Sequence, residues 1–226
     1  INMFDQFCKG NNLLLIEDNA HGAGGEVNGK SLGENGDISF SSPHKILNIN
    51  SGGVLWLKNP KGILKMDLEP CPITIKQYIN QYLLKTSPFF RSWLKRLLFK
   101  RPHYEKNTPT MDKVLIDYKI DNSSLNILKN ADWSTIREKR QASYKKWKNF
   151  AIENGLQPVF SDFDNMANPW CFPAYTQNHD ESVKWIKWGW KNRINIFSWP
   201  SLPREVCIES NESYNRWQRL ICFEIT

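Results

Sequence analysis

One stretch near the start of this sequence decides the fold: residues 13–25 read LLLIEDNAHGAGG. The aliphatic residues Leu13 to Ile16 form a continuous apolar run, which is typical of a strand buried on both faces of a parallel sheet. The run is followed by Asp18 and by a glycine-rich turn that contains His21. Ligands of open α/β sheets bind beyond the carboxyl ends of the strands. We therefore expect Asp18 and His21 to lie where chemistry takes place.

The segments on either side of this stretch indicate an α/β fold. Residues 2–8 have the apolar spacing of a helix that ends just before the strand. A hairpin that turns on an Asn-Gly pair at 28–29 comes next, because this pair is a strong hairpin signal. Further short strands are predicted over 37–41 and 53–58. Together the three strands frame the loop that contains Lys45.

The rest of the chain reads as a smaller α+β domain. Residues 132–150 form an amphipathic helix, for which the sequence predicts a capping box from Thr135 to Glu138. Strand-like and helix-like segments then alternate: a strand over 168–176, a helix over 180–190, a strand over 194–199, a helix over 211–220 and a strand over 221–225. We therefore predict that 1–125 is the C-terminal portion of a large, mostly parallel α/β domain and that 126–226 is a linking helix with the small domain.

Composition excludes several classes of protein. The 226 residues are 40% hydrophobic and 13% aromatic, enough for a core, which excludes global disorder. The net charge of +7 is spread along the chain, so no nucleic acid partner is expected. No apolar run approaches the about 20 residues of a membrane span. The five cysteines are far apart, which favours reduced thiols in a cytoplasmic protein and predicts no metal site.

The first residue suggests a partial chain. The sequence opens on Ile1, without an initiator methionine or a signal-peptide pattern, and the opening helix is already under way. We expect the chain to be a portion of a longer protein and incomplete as an isolated enzyme.

The residues around Lys45 suit one cofactor. Serine hydroxyls before the lysine can donate hydrogen bonds to a phosphate, and the glycines after it let the backbone approach a ligand closely: Ser39, Ser41, Ser42, Gly52 and Gly53. Asp18 supplies a carboxylate. Pyridoxal phosphate (PLP) needs a lysine for its Schiff base, donors for its phosphate and a carboxylate for its pyridine nitrogen.

The order and spacing of these motifs resemble the DegT/DnrJ/StrS sugar aminotransferases, which are fold-type-I enzymes that use PLP. The resemblance rests on E-D-N-A-H-G-A-G over 17–24, G-K-x-x-G-x-x-G-D-I over 29–38, S-P-x-K over 42–45, and the Gly-Gly pair at 52–53. The segments W-C-F-P-A-Y over 170–175 and W-P-S-L-P over 199–203 agree more loosely.

The resemblance implies a role for each motif residue. Asp18 would pair with the pyridinium nitrogen, and His21 would lie against the ring and its phenolic oxygen. Ser42, or a neighbouring serine such as Ser41, would bind the phosphate. Lys45 would form the internal aldimine and then act as the acid-base catalyst, which predicts a lowered proton affinity for its amine.

The resemblance also implies partners. The enzyme would move an amino group from an amino-acid donor, glutamate being the expected one, to a keto-sugar nucleotide or a related carbonyl compound by a ping-pong mechanism. It would act as a cytoplasmic homodimer on small molecules only.

Two departures from the family pattern keep alternatives open. Many relatives have the phosphate serine five residues before the lysine, but Phe40 occupies that position here, so the donor is Ser42, Ser41 or Ser39. In place of a G-x-N-Y-R-like segment stand a basic-aromatic stretch over 85–101 and D-Y-K-I-D over 117–121. The stretch 85–101 is interpreted as a packed helix, a phosphate-binding face or a membrane-surface helix.

The alternative functions are a regulator or scaffold that kept the fold, and a PLP-dependent sugar dehydratase. Such dehydratases have histidine in place of the Schiff-base lysine, so Lys45 argues against the second. The tryptophans, including Trp170, are expected to fill cores and interfaces.

Overall fold

The structure is a computed structural model that describes residues 2–60, 68–72, 75, 118–199, 202, 206 and 212–225. The basic-aromatic stretch 85–101 and most of the segment 199–203 lie outside the described residues. Contacts divide the chain into two compact units. Unit 1 comprises Ile1–Tyr82, Val114–Lys139 and Asp164–Trp170, and unit 2 comprises Leu83–Lys113, Arg140–Phe163 and Cys171–Thr226. The domain boundary after residue 125 stays a prediction.

Unit 1 opens with helix α1, Asn2–Gly10, which confirms the helix predicted over 2–8. Asn12 follows it in the left-handed conformation with φ 55°, as helix ends favour. Strand β1, Ile16–Asn19, begins later than the aliphatic run predicts.

The prediction that the aliphatic run is buried is wrong. Leu13, Leu14 and Ile16 are 53%, 73% and 61% exposed. Leu15 is instead held by Asp37, whose Oδ2 accepts from Leu15 N at 2.9 Å. Asp37 N also donates to Leu15 O at 2.8 Å. The strand register begins one residue later, with Ile16 opposite Ile38.

The hairpin forms as predicted. Strands β2, Glu26–Val27, and β3, Lys30–Ser31, pair antiparallel. Between them Asn28 and Gly29 have φ values of 53° and 74°. A type I′ turn requires two consecutive positive φ angles, and Asn and Gly adopt such angles more readily than other residues.

Three strands form the sheet of unit 1. Strand β4, Ile38–Ser41, pairs parallel with β1, and strand β5, Val54–Leu57, pairs antiparallel with β4, giving the order β1-β4-β5. The strands predicted over 37–41 and 53–58 are thus confirmed. The parallel pair brings the ends of β1 and β4 to one edge.

Glu17 fastens the loop between the hairpin and β4. Its carboxylate accepts backbone hydrogen bonds from Gly33 at 2.8 Å, Asn35 at 3.3 Å and Gly36 at 3.2 Å. A carboxylate that accepts several N–H groups makes strong, charge-assisted bonds. The loop is therefore tied to the central part of β1.

Replacing Glu17 with alanine is expected to lower the free energy of unfolding by about 1–3 kcal/mol, because the loop amides lose their acceptor. The denaturation midpoint in urea measures this effect. Glu34→Ala is the matched control, since Glu34 is an exposed carboxylate of the same loop. Equal midpoints for the two variants would contradict the role given to Glu17.

Two helices carry the chain onward from unit 1. Helix α2, Asn122–Lys129, has Asp121 as its N-cap. Helix α3, Trp133–Glu153, matches the predicted helix, but the predicted capping box at Thr135 is wrong. Asp132 makes the cap instead, since its Oδ1 accepts from Thr135 N at 3.1 Å. The first residues of α3, up to Lys139, belong to unit 1.

Unit 2 contains an antiparallel sheet with an aromatic core. The strands are β6, Gln157–Pro158, β7, Cys171–Tyr175, β8, Ile196–Ser198, and β9, Leu220–Glu224, in the order β6-β7-β9-β8. Helices α4, His179–Asn192, and α5, Glu212–Arg219, complete it, so the predicted alternation is confirmed.

The core of unit 2 is centred on Phe172 and Phe223, both fully buried. Tyr144 of α3 packs edge-on against Phe172, with ring centroids 4.9 Å apart. Trp185 and Trp188 pack against the same cluster, as expected for the tryptophans.

Candidate active site

The candidate site lies in unit 1, at the carboxyl ends of its two parallel strands. β1 ends at Asn19 and β4 at Ser41, and these two residues are partners in the parallel register. His21 follows β1, and Lys45 follows β4. Both loops therefore leave the sheet at the edge where open α/β sheets bind ligands.

A short 3-10 turn, Pro43–Lys45, positions the lysine. Lys45 N donates to Ser42 O at 3.1 Å. Pro43 is fully buried, and its ring fixes φ at the start of the turn. The Lys45 side chain extends to His21, where Nζ lies 2.9 Å from Nε2.

Asp18 completes the group. Its Oδ1 accepts from Ala20 N at 2.9 Å, an Asx turn that starts the glycine-rich loop. The negative charge of Asp18 raises the pKa of both Lys45 and His21, because it attracts their protonated, positively charged forms. The structure thus brings together three residues that the sequence singles out.

Burial dominates the proton affinities of the site. Burial lowers the pKa of Lys45 below its ordinary value, and the nearby Asp18 charge offsets this only in part. Burial and then the positive charge of Lys45 lower the pKa of His21 below its ordinary 6.5. A lysine with a lowered pKa has more free amine at neutral pH, as a nucleophile or base requires. The lowered proton affinity expected for Lys45 is therefore present.

Removing Lys45 is expected to raise the pKa of His21. In Lys45→Ala the imidazolium no longer faces a cation, so the midpoint of His21 moves up toward its ordinary 6.5. An NMR pH titration of the imidazole signals measures this midpoint. Lys30→Ala, which removes an exposed lysine of the hairpin, is expected to leave it in place. A His21 midpoint that stays or falls in Lys45→Ala would contradict the contact.

The serines near the lysine differ in position: Ser39 and Ser41 lie in β4, and Ser42 follows it. Parallel partners share a face of a sheet, and the register pairs Asp18 with Phe40. Ser39 and Ser41 therefore point to the face opposite Asp18. Both are buried, and neither Oγ has a hydrogen-bond partner among the described residues. Ser42 lies past the strand end and is half-buried.

The Ser51-Gly52 segment is held by a buried carboxylate. Ser51 Oγ donates to Asp121 Oδ2 at 2.6 Å, and Ser124 N donates to Asp121 Oδ1 at 2.9 Å. Burial opposes ionisation of Asp121, but these hydrogen bonds outweigh it and lower its pKa. Gly52 has φ +98°, and a Cβ there would lie 2.5 Å from Ile120. Gly52 is thus required by local packing as well as by its conformation.

Sequence reasoning missed Trp170. The sequence predicts it inside a strand, but β7 begins at Cys171 and Trp170 belongs to unit 1. Its ring centroid lies 4.7 Å from that of His21 and 5.8 Å from Lys45 Nζ. No local pattern announces this contact, because the three residues are far apart in the sequence.

The described residues contain neither a metal-binding cluster nor a membrane-spanning helix. No group of three or more His, Cys, Asp or Glu side chains in the described ranges could hold a metal ion. Within the same ranges, no helix is both long and apolar enough to cross a membrane.

Residues 1–69 match the model of the DegT/DnrJ/EryC1/StrS aminotransferase family. The resemblance identified from the motifs is thereby confirmed for the part of the chain that carries the candidate site. No curated protein matches the sequence.

Solved structures with a similar fold include an aminotransferase of this family from Brucella abortus, at 14% identity and TM-score 0.51, covering 99% of this chain and 55% of that one. PseC of Helicobacter pylori, an aminotransferase involved in pseudoaminic acid biosynthesis, has 13% identity and TM-score 0.54, covering 98% and 56%. The PLP form of a protein described as a sugar aminotransferase from Streptococcus pneumoniae has 13% identity and TM-score 0.54, covering 97% and 54%.

These similarities establish the α/β fold shared with the aminotransferases. The chain spans little more than half the length of the structures that it matches.

Proposed function

We propose that this chain is part of a PLP-dependent aminotransferase that transfers an amino group from an amino-acid donor to a keto-sugar nucleotide or a related carbonyl compound. In this proposal, residues 1–125 supply the C-terminal portion of the large PLP-binding domain. Residues 126–226 supply the linking helix and the small domain.

One observation carries the proposal: a lysine amine with a lowered pKa lies 2.9 Å from a histidine, within reach of the charge of Asp18. A fully solvated lysine would keep its ordinary pKa. Perturbed groups at the carboxyl ends of parallel strands are candidates for catalysis. The match of residues 1–69 to an aminotransferase family supports the same conclusion.

The residues present fit PLP. Lys45 offers the free amine, Asp18 the carboxylate for the pyridine nitrogen, and Ser42 the phosphate donor. Ser41, the alternative donor, is buried on the face of β4 opposite Asp18 and fits this role less well. His21 would lie beside the ring and its phenolic oxygen. When bound, PLP supplies an aldehyde that accepts an amino group and a ring that acts as an electron sink.

The roles of the protein groups follow from their proton affinities. Lys45 Nζ, once free, can take up a proton and return it, because its lowered pKa keeps a fraction of it neutral. His21, with its own pKa below 6.5, is neutral at neutral pH and can accept a hydrogen bond from Lys45 Nζ. Asp18 stabilises positive charge near both groups.

The partners are proposed by the same reasoning. The donor is a small amino acid, with glutamate as the first to test, and the acceptor is a small carbonyl compound. We further propose a homodimer that acts in the cytoplasm and binds no nucleic acid.

The half-reaction with an amino donor tests the proposal. The full-length protein is loaded with PLP and mixed with L-glutamate. We expect the absorption of bound PLP to change to that of pyridoxamine phosphate, with an equal amount of 2-oxoglutarate released. D-glutamate serves as the control for stereospecific binding.

Other outcomes would favour the alternatives. Binding of PLP without any conversion by a panel of L-amino acids would indicate the regulator or scaffold. Release of water from a sugar nucleotide without net transfer of nitrogen to it would indicate the dehydratase. Either result would overturn the proposed function.

A further inference from the structure

The indole of Trp170 contacts both reactive groups of the candidate site. Lys45 Nζ lies 5.8 Å from the ring centroid, within the usual range for a cation above an aromatic face. The His21 and Trp170 centroids are 4.7 Å apart, with the ring planes at 43°. Because Lys45 Nζ also lies 2.9 Å from His21 Nε2, amine, imidazole and indole contact one another in pairs.

The segment that carries Trp170 is anchored to the loop that carries His21. Asn168 Nδ2 donates to Ala23 O at 2.7 Å, and Asn168 is buried, with 4% exposure. Glu26 N donates to Met166 O at 3.1 Å. These bonds join Met166 and Asn168, four and two positions before Trp170, to β2 and to the glycine-rich loop. The position of Trp170 is therefore set by the same backbone that sets His21.

We propose that Trp170 is a positioning residue that covers the half-buried Lys45 amine, holds it against His21 and limits the access of water to the amine. This inference rests on the proposed function of Lys45. The aromatic side chain adds no proton-transfer chemistry of its own, since an indole does not titrate in the relevant range. Its role is to fix where the amine lies and how well it is hydrated.

Two opposing effects of the indole can be separated. An aromatic face favours the charged ammonium, whereas burial favours the neutral amine. At Lys45 burial outweighs the attraction of Asp18, since the pKa is lowered. The proposal assigns part of that burial to the indole. The charge of Asp18 acts on the amine, and the charge of the amine acts in turn on His21 and His44. Trp170→Ala removes none of these titratable groups.

The test measures the Lys45 amine directly in the full-length protein without cofactor. Cyanate carbamylates only the free amine, and peptide mass spectrometry gives the rate at Lys45 at each pH. Lys30, an exposed lysine in the same unit, serves as the internal reference. The variants are Trp170→Ala and Trp170→Phe, with Phe160→Ala as the control, since Phe160 is a 57% exposed aromatic in unit 2.

We expect the pH profile of Lys45 in Trp170→Ala to move to higher pH, with the rate at neutral pH about threefold lower relative to Lys30, because water reaches the ammonium. Trp170→Phe should keep most of the wild-type profile, and Phe160→Ala all of it. A wild-type profile in Trp170→Ala, or a move to lower pH, would overturn the proposal.

Two arrangements keep the outcome interpretable. Should Trp170→Ala fail to fold by circular dichroism, Trp170→Leu takes its place, with a smaller move in the same direction expected. The profile is measured without PLP, so a protein that never loads PLP at Lys45 would contradict the proposed function and still give a clear result for Trp170.

Discussion

Replacing Lys45 with alanine is expected to lower the rate of the half-reaction with L-glutamate at least about 10³-fold, the largest effect of any single substitution in this chain. Lys45 is the group to which the proposal assigns both cofactor attachment and proton movement. Loss of the amine removes both roles at once. Stopped-flow absorption of the PLP-loaded protein measures the rate.

Two controls separate chemistry from folding in this experiment. Lys30→Ala removes one exposed lysine of the hairpin and should react at the wild-type rate. An added small amine such as methylamine should partly restore the rate of Lys45→Ala, because it can replace the missing proton carrier. A Lys45→Ala protein that keeps more than about a tenth of the wild-type rate would contradict the role of Lys45.

Asp18→Asn is expected to lower the same rate about 10²-fold, since one preorganised charge is lost from the site. The substitution changes the charge of the side chain and keeps its hydrogen bond. Asp18 Oδ1 accepts from Ala20 N, and the amide oxygen of asparagine can accept the same bond, so the turn is kept. The negative charge alone is removed.

The electrostatics of Asp18 make the expected loss diagnostic. Asp18 raises the pKa of Lys45, so its removal gives more free amine at neutral pH. If Asp18 only tuned the lysine, the rate would rise; if it binds the pyridine nitrogen, the rate falls. Asp5→Asn, which neutralises the half-buried partner of the exposed Lys9 in α1, is the control. A rate equal to or above wild type in Asp18→Asn would exclude the cofactor role.

Local signals predict much of the fold because they act over short distances. The Asn-Gly pair at 28–29 specifies its hairpin through two positive φ angles that few other residues adopt. The helices of unit 2 follow from their apolar spacing. The misplaced cap of α3 shows the limit. Asp132 and Thr135 are both residue types that cap helices, and the side chain of Asp132 makes the cap here.

Long-range contacts explain what the sequence does not predict. The aliphatic run 13–16 has the composition of a buried strand, but burial depends on what packs over the sheet, and Leu13, Leu14 and Ile16 are exposed. The residues Asp18, His21 and Lys45 are found from local motifs, since each follows a strand end. Trp170 cannot be found from a local motif. Its place over Lys45 depends on a segment that Asn168 anchors to a loop distant in sequence.

The central claim is that Lys45 holds PLP, and one measurement tests it most directly. The full-length protein is loaded with PLP, reduced with borohydride and digested, and the peptides are weighed by mass spectrometry. We predict the added mass of the reduced cofactor on Lys45, and none on Lys30 or Lys58. Cofactor mass on another lysine, or none on any peptide after loading, would contradict the account.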